Sequence, residues 1–183
     1  WVLGGWDPGV YVNEGFALES LGTFHPPDRV FAEDLSEEGK SIFTRRIHGG
    51  TERFPGVAVD EPRGAFTFEF FRLTPAMIAL LHRIGGLNAD LKVNAILGLL
   101  TLLLFASLLW TGTGGAHALF ATAILAAQPI WLYHTHTPVS EMLQLTLILG
   151  LGLILTLRIR GMAAAILPAL LLLLLVLNRY SFL

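Results

Sequence analysis

Between Leu91 and Leu177 only Lys92, Glu141, Arg158 and Arg160 carry formal charge, and few structures can bury or solvate so apolar a run outside a membrane. Charge-poor stretches divide it into four candidate spans, Leu91–Trp110, Ala116–Tyr133, Val139–Leu157 and Met162–Leu177, each close to the length a helix needs to cross a bilayer. Tight connectors separate them: a glycine-rich turn at Thr111–Gly115, a polar turn from His134 to Pro138, and a basic turn from Arg158 to Gly161. The expectation is an all-α polytopic membrane protein with about four transmembrane helices.

The remainder of the chain is built for a different solvent. Trp1–Asp90 carries thirteen acids and eight bases, whereas Leu91–Leu183 carries one acid and four bases. The short loop with Arg158 and Arg160 is the basic one, which assigns it to the cytoplasm and, counting back, assigns residues 1–90 and the His134–Glu141 turn to the outer side. The expected division is therefore an extracytoplasmic loop region with juxtamembrane helices over residues 1–90 and a transmembrane region over 91–183. Cysteine is absent, so disulfides and thiolate chemistry are excluded. No basic run followed by an apolar stretch marks a cleavable signal at the N-terminus. The start at Trp1 and the six residues after Leu177 read as a piece that has lost a preceding helix and several later ones.

Within the outer region, Asp7-Pro8 predicts the start of a helix that runs to Leu21 and stops at Gly22, because aspartate caps a helix and proline suits its first turn. Thr23–Gly64 reads as loop, with short strands around Gly56–Val59 and Ala65–Phe70. Thr74-Pro75 opens a second helix. Its Met77, Leu80, Leu81 and Ile84 form an apolar stripe, and Gly85-Gly86 ends it, as expected of a helix lying along a membrane surface.

Several side chains could carry chemistry. Asp7 is either a plain helix cap or a base at the mouth of a membrane cavity, and the two roles are compatible. Glu141 is the one acid of the apolar half; it is either an interfacial acid favoured by a helix N-terminus or, with His134 and His136 across a single turn, a ligand for a divalent metal ion. The run from Phe66 to Pro75 either anchors aromatic rings in the headgroup zone, with Arg72 on lipid phosphate, or uses Arg72 to hold a substrate phosphate. Nothing in the chain has the basic character of a nucleic-acid-binding surface.

GGWDPGVYVNEGFALESLGTF, FEFFRLTPAMIALLHRIGG, LKVNAILGLLTLLLF and QPIWLYHTHTPVSEMLQLTLILGL resemble, in order and spacing, segments of the GT-C superfamily of polyprenyl-phosphate-sugar-dependent membrane glycosyltransferases, the group of protein O-mannosyltransferases and aminoarabinose transferases. The resemblance implies an inverting hexosyl- or pentosyl-transferase of the cell envelope. Asp7 matches the aspartate of the family's first outer loop, the catalytic base, and Glu141 matches the acid of the second outer loop. Arg72 stands where bacterial relatives often have histidine, and His136 near where they have arginine. The implied site has Asp7 as base, Arg72, His82 and Tyr11 binding substrate, and Glu141, His134 and His136 around a divalent metal ion. Its implied partners are a polyprenyl-phosphate-linked sugar and the lipid bilayer. The competing readings are a transporter segment with Glu141 and the histidines on an ion path, and a non-catalytic membrane subunit.

Overall fold

The computed structural model describes residues 7–28, 30–47, 50–54, 56–60, 64–68, 70–90, 92–157 and 159–179. Trp6 before the Asp7-Pro8 pair, Pro55, Glu69 of the aromatic run, Leu91, Arg158 of the basic turn and Tyr180 lie outside the described residues.

Helix α1 spans Asp7–Leu21. It closes on Gly22, whose φ of 67° lets its N–H reach back to Leu18 O at 3.0 Å. α1 is buried on nearly every side because it stands between two cores. Val10 packs into an aromatic and valine cluster, while Tyr11 and Val12 pack into a second cluster made by helices.

After a π turn at Val30–Asp34 comes the short helix α2, Glu37–Phe43, capped by Ser36, whose Oγ accepts from Gly39 N at 3.1 Å. Four strands follow: β1 Arg45–Ile47, β2 Gly50–Phe54, β3 Val57–Asp60 and β4 Ala65–Phe68. They form an antiparallel meander in sequence order, with Arg46 opposite Thr51 and Val59 opposite Phe66. One face is apolar, where Val57, Val59, Phe66 and Phe68 meet Phe31 and Val10. This sheet corrects the all-α expectation. Strands at β3 and β4 agree with the sequence reading, but β1 and β2 arise in a stretch read as loop.

Helix α3, Leu73–Gly85, lies along α1, and Gly86 at φ 64° ends it by donating to His82 O at 2.7 Å. Gly15 sets the distance between the two helices, since a Cβ there would lie 2.8 Å from Ile78 Cγ2 and 2.9 Å from Pro75 O. The turn α4, Leu87–Asp90, leads into α5, Val93–Thr113. Then come α6 Gly115–Ala126, α7 Pro129–His136, α8 Ser140–Thr156 and α9 Ala163–Arg179.

The helices also correct the four-span expectation. Among the described residues one helical segment, Leu87–Thr113, is long and apolar enough to cross a membrane. The stretch read as a second span is broken into α6 and α7, which bend by 68°. Pro129 disfavours the helical conformation for the residue before it, and Gln128 is accordingly extended at φ −69° and ψ 133°. Counting that bent pair as one span gives two at most. α8 and α9 have 17 residues each, so they rise about 26 Å against roughly 30 Å of hydrocarbon. Extended backbone at Val139 and Leu157 trims α8 at both ends.

Candidate functional site

The site grows from the connection between α7 and α8, which one side chain ties down. Asn94, near the start of α5 and fully buried, directs Nδ2 at three carbonyl oxygens of that connection: Thr137 O at 2.6 Å, Val139 O at 2.9 Å and His134 O at 3.1 Å. His134 stands in the last turn of α7, where carbonyls lack intrahelical partners, Thr137 follows that helix, and Val139 is the residue that caps α8. A close approach of α5 to α7 at Gly98, where a Cβ would collide with Thr135 Cγ2, brings Asn94 within reach.

From the other side α1 contributes Tyr11, whose hydroxyl donates to Ser140 Oγ at 3.0 Å and whose ring meets Phe70 edge-on at 5.1 Å. Burial pushes the Tyr11 phenol up to about 12, and the nearby Glu141, Asp7 and Glu14 carboxylates add to the shift, so it remains a neutral donor. Asn178 of α9 completes the brace. Its Nδ2 donates to Ser140 O at 3.3 Å and its Oδ1 accepts from Thr74 Oγ1 at 3.2 Å.

Two clefts open on this frame. A polar one of about 340 Å³ is lined by Asp7, Pro8, Tyr133, His134, Val139 and Glu141. An apolar one of about 330 Å³ is lined by Leu125, Ile130, Trp131, His134, Glu141, Met142 and Leu145. His134 and Glu141 belong to both. Asp7 comes from the first turn of α1 and Glu141 from the first turn of α8, residues far apart in sequence that the Tyr11–Ser140 hydrogen bond holds in register.

Not every residue singled out from the sequence gathers here. Arg72 lies with its guanidinium 5.1 Å above the Phe24 ring and acts electrostatically on Glu14. His82 stands 3.9 Å from a Glu19 carboxylate oxygen and edge-on to Phe16 at 4.9 Å, toward the far end of α1. His136 is exposed, with Nδ1 donating to Leu132 O at 2.8 Å on its own helix. The expected metal set is thus split: Glu141 and His134 share the clefts and His136 turns away. Among the described residues no three histidine or carboxylate side chains stand close enough together to hold a metal ion.

Three further residues matter that sequence reasoning passed over. Glu14 is 1% exposed with Oε2 lacking a hydrogen-bond partner, and burial raises its carboxyl from the ordinary 4.5 to about 8, against a lowering pull from Arg72. Its spacing from Asp7 and Tyr11, seven and three residues, puts all three on one face of α1, a signal the sequence did contain. Asn94 is a polar residue within an apolar helix, which calls for a partner. Tyr133 lines the polar cleft and meets the His134 ring edge-on at 5.2 Å.

Compared with protein-family models, curated proteins and solved structures, the chain matches none.

Proposed function

We propose that this chain forms the donor-binding face of a membrane glycosyltransferase that moves a sugar from a polyprenyl-phosphate carrier to an acceptor hydroxyl. The observation that carries the reading is the pairing of a polar, carboxylate-lined cleft with an apolar one through shared His134 and Glu141. A lipid-linked sugar has that division in its own chemistry. The apolar walls of Leu125, Ile130, Trp131, Met142 and Leu145 suit a prenyl chain, and the Asp7, Tyr133 and Glu141 side suits a sugar.

In this reading the exposed Asp7 carboxylate takes the proton of the acceptor hydroxyl as its oxygen attacks the anomeric carbon. The bond from that carbon to the phosphate oxygen breaks, the carrier leaves as polyprenyl phosphate, and a single displacement inverts the anomeric centre. Tyr133, an exposed ring beside Asp7, offers a flat face for the sugar. Glu141, at the junction, accepts hydrogen bonds from sugar hydroxyls. Asp7 and Glu141 share one cleft and so one side of the membrane, which in this reading is the outer face of the plasma membrane, with the segment before Leu87 outside the cell and the Leu87–Thr113 helix in the bilayer.

The test is sugar transfer in membranes that contain the protein, offered a panel of labelled polyprenyl-phosphate sugars. Asp7→Asn at matched expression is expected to lower turnover by at least about a hundredfold, the usual contribution of a positioned base. Transfer that survives Asp7→Asn would remove the base assignment, and no transfer from any donor would sink the transferase reading.

A further inference from the structure

The proposed transferase leaves one requirement unmet. A departing phosphate needs a hydrogen-bond donor, and three of the basic side chains singled out from the sequence are engaged elsewhere. Arg72 lies over Phe24, His82 is set against Glu19 and Phe16, and His136 is bonded to Leu132 O. His134 is the basic side chain that lines both clefts. Where a polar head and an apolar tail meet in a lipid-linked sugar is the phosphate, and where the two clefts meet is His134.

The ring's own surroundings choose which nitrogen carries the proton. His134 Nδ1 is buried and has no hydrogen-bond partner, so a proton there would be left unsatisfied. The neutral tautomer that avoids this carries its proton on Nε2, which makes that nitrogen the donor of the ring. Tyr133, edge-on to the ring at 5.2 Å, and the hydrogen bond from Asn94 to the His134 carbonyl hold the residue in place. Asp7 lines the polar cleft and Glu141 lines both, sharing the junction with His134, but both carboxylates are exposed, so water screens their repulsion of a phosphate.

Resting on the transferase reading, we infer that His134, through Nε2–H, is the phosphate-contacting residue of the site, donating a hydrogen bond to the carrier phosphate in both the bound donor and the departing product. No proton need be transferred for this, since the Asp7 carboxylate receives the one released by the acceptor.

Binding of two probes separates this inference from the reading beneath it. A long-chain polyprenyl phosphate and the corresponding polyprenol, which lacks the phosphate, are titrated against the full-length protein in lipid nanodiscs. The wild type is expected to prefer the phosphate. His134→Ala is expected to lose about tenfold or more of its affinity for the phosphate while holding the polyprenol unchanged. His134→Gln, which keeps an N–H near the Nε2 position, is expected to recover most of the preference, and thermal unfolding of each variant checks that the fold is intact. A preference that persists in a folded His134→Ala, or a wild type that binds both probes equally, overturns the His134 assignment and leaves the transferase reading standing. A wild type that binds neither probe overturns both.

Discussion

The sheet-bearing lobe and the helical half each bury an apolar cluster, but they differ in the polar side chains buried beside it. In the lobe, Phe31, Val57, Val59, Phe66 and Phe68 are inside, and Arg53 lies among them with its guanidinium 5.2 Å and 5.5 Å from the Phe31 and Phe66 rings and 3.0 Å from Asp28 Oδ2. In the helical half, Asn94, Thr101, Ser140, Thr146 and Asn178 are inside, while Leu99 is 62% exposed and Leu103 57% exposed. Thr101 and Thr146 even join α5 to α8 through a hydrogen bond of 2.6 Å. The lobe is arranged as water requires, with apolar groups removed from it. α5 is arranged as lipid permits, with Asn94 Nδ2 and Thr101 hydrogen-bonded inside and leucines turned outward. One chain thus carries two packing rules, and α1, which contributes Val10 to one core and Tyr11 to the other, is where they join.

The largest effect that would sharpen this contrast comes from trimming one apolar residue in each region. Phe66→Ala should cost about 3–5 kcal/mol, because it empties a buried site and removes the ring under Arg53. Leu103→Ala, on the outward face of α5, should cost less than about 0.5 kcal/mol in detergent or lipid, where the leucine has apolar surroundings whether or not the chain is folded. Thermal unfolding of both variants in the same detergent decides. Comparable losses would mean that the outer face of α5 is covered by something the contrast does not include.

Asn94 reverses the usual expectation. Asn94→Leu makes α5 more apolar, yet it should destabilise by about 2–3 kcal/mol, since the carbonyls of His134, Thr137 and Val139 lose their donor. Because that connection carries His134 and delivers Glu141, the same substitution should lower sugar transfer in variants that remain folded. A stabilised Asn94→Leu would show that the connection needs no clamp.

How much of this could be seen in the sequence follows from the same division. Asp7, His134 and Glu141 stood out because a titratable group beside an apolar run needs a reason to be there. β3 and β4 showed through Val57, Val59, Phe66 and Phe68. β1 and β2, read as loop, are composed mainly of Arg45, Arg46, Thr51, Glu52 and Arg53, polar residues without an apolar alternation, and Arg53 is drawn inside through Asp28 and the Phe31 and Phe66 rings. Four spans were expected because hydropathy reports where apolar residues are and not where the backbone breaks, as it does at Gln128-Pro129. The roles of Glu14 and Asn94 depend on partners tens of residues away, Arg72 in one case and the α7–α8 connection in the other.

Glu14 makes the joint between the regions sensitive to pH. Its carboxyl titrates near 4.5 when exposed and is raised to about 8 by burial, so between these values the folded chain holds a proton that the unfolded chain has released. Stability from this group is therefore complete below about pH 4.5 and falls as pH rises toward 8. Glu14→Gln removes that dependence. It should raise the melting temperature at pH 8, corresponding to roughly 1–3 kcal/mol, and leave it almost unchanged at pH 4. Equal effects at both pH values would mean that burial leaves this carboxyl unshifted, and a lowered melting temperature at pH 8 would mean that Glu14 is ionised in the fold and paired with Arg72.

The smallest effect probes the joint most directly. Tyr11→Phe keeps the ring against Phe70 and removes only the hydroxyl that donates to Ser140 Oγ. The expected cost is about 1 kcal/mol, the net worth of a hydrogen bond whose partner is left buried. If the hydroxyl pair is what registers α1 against α8, Ser140→Ala should cost a similar amount, and the double variant should lose less than the two single losses together, because no orphaned partner remains. The register also governs the spacing of Asp7 and Glu141, so each single variant should depress transfer more than it depresses stability. Additive stability losses with unchanged transfer would mean that the lobe is held to the helices by the packing of Val12, Ile78 and Leu97 alone, and that the polar contact between the regions has no part in shaping the cleft.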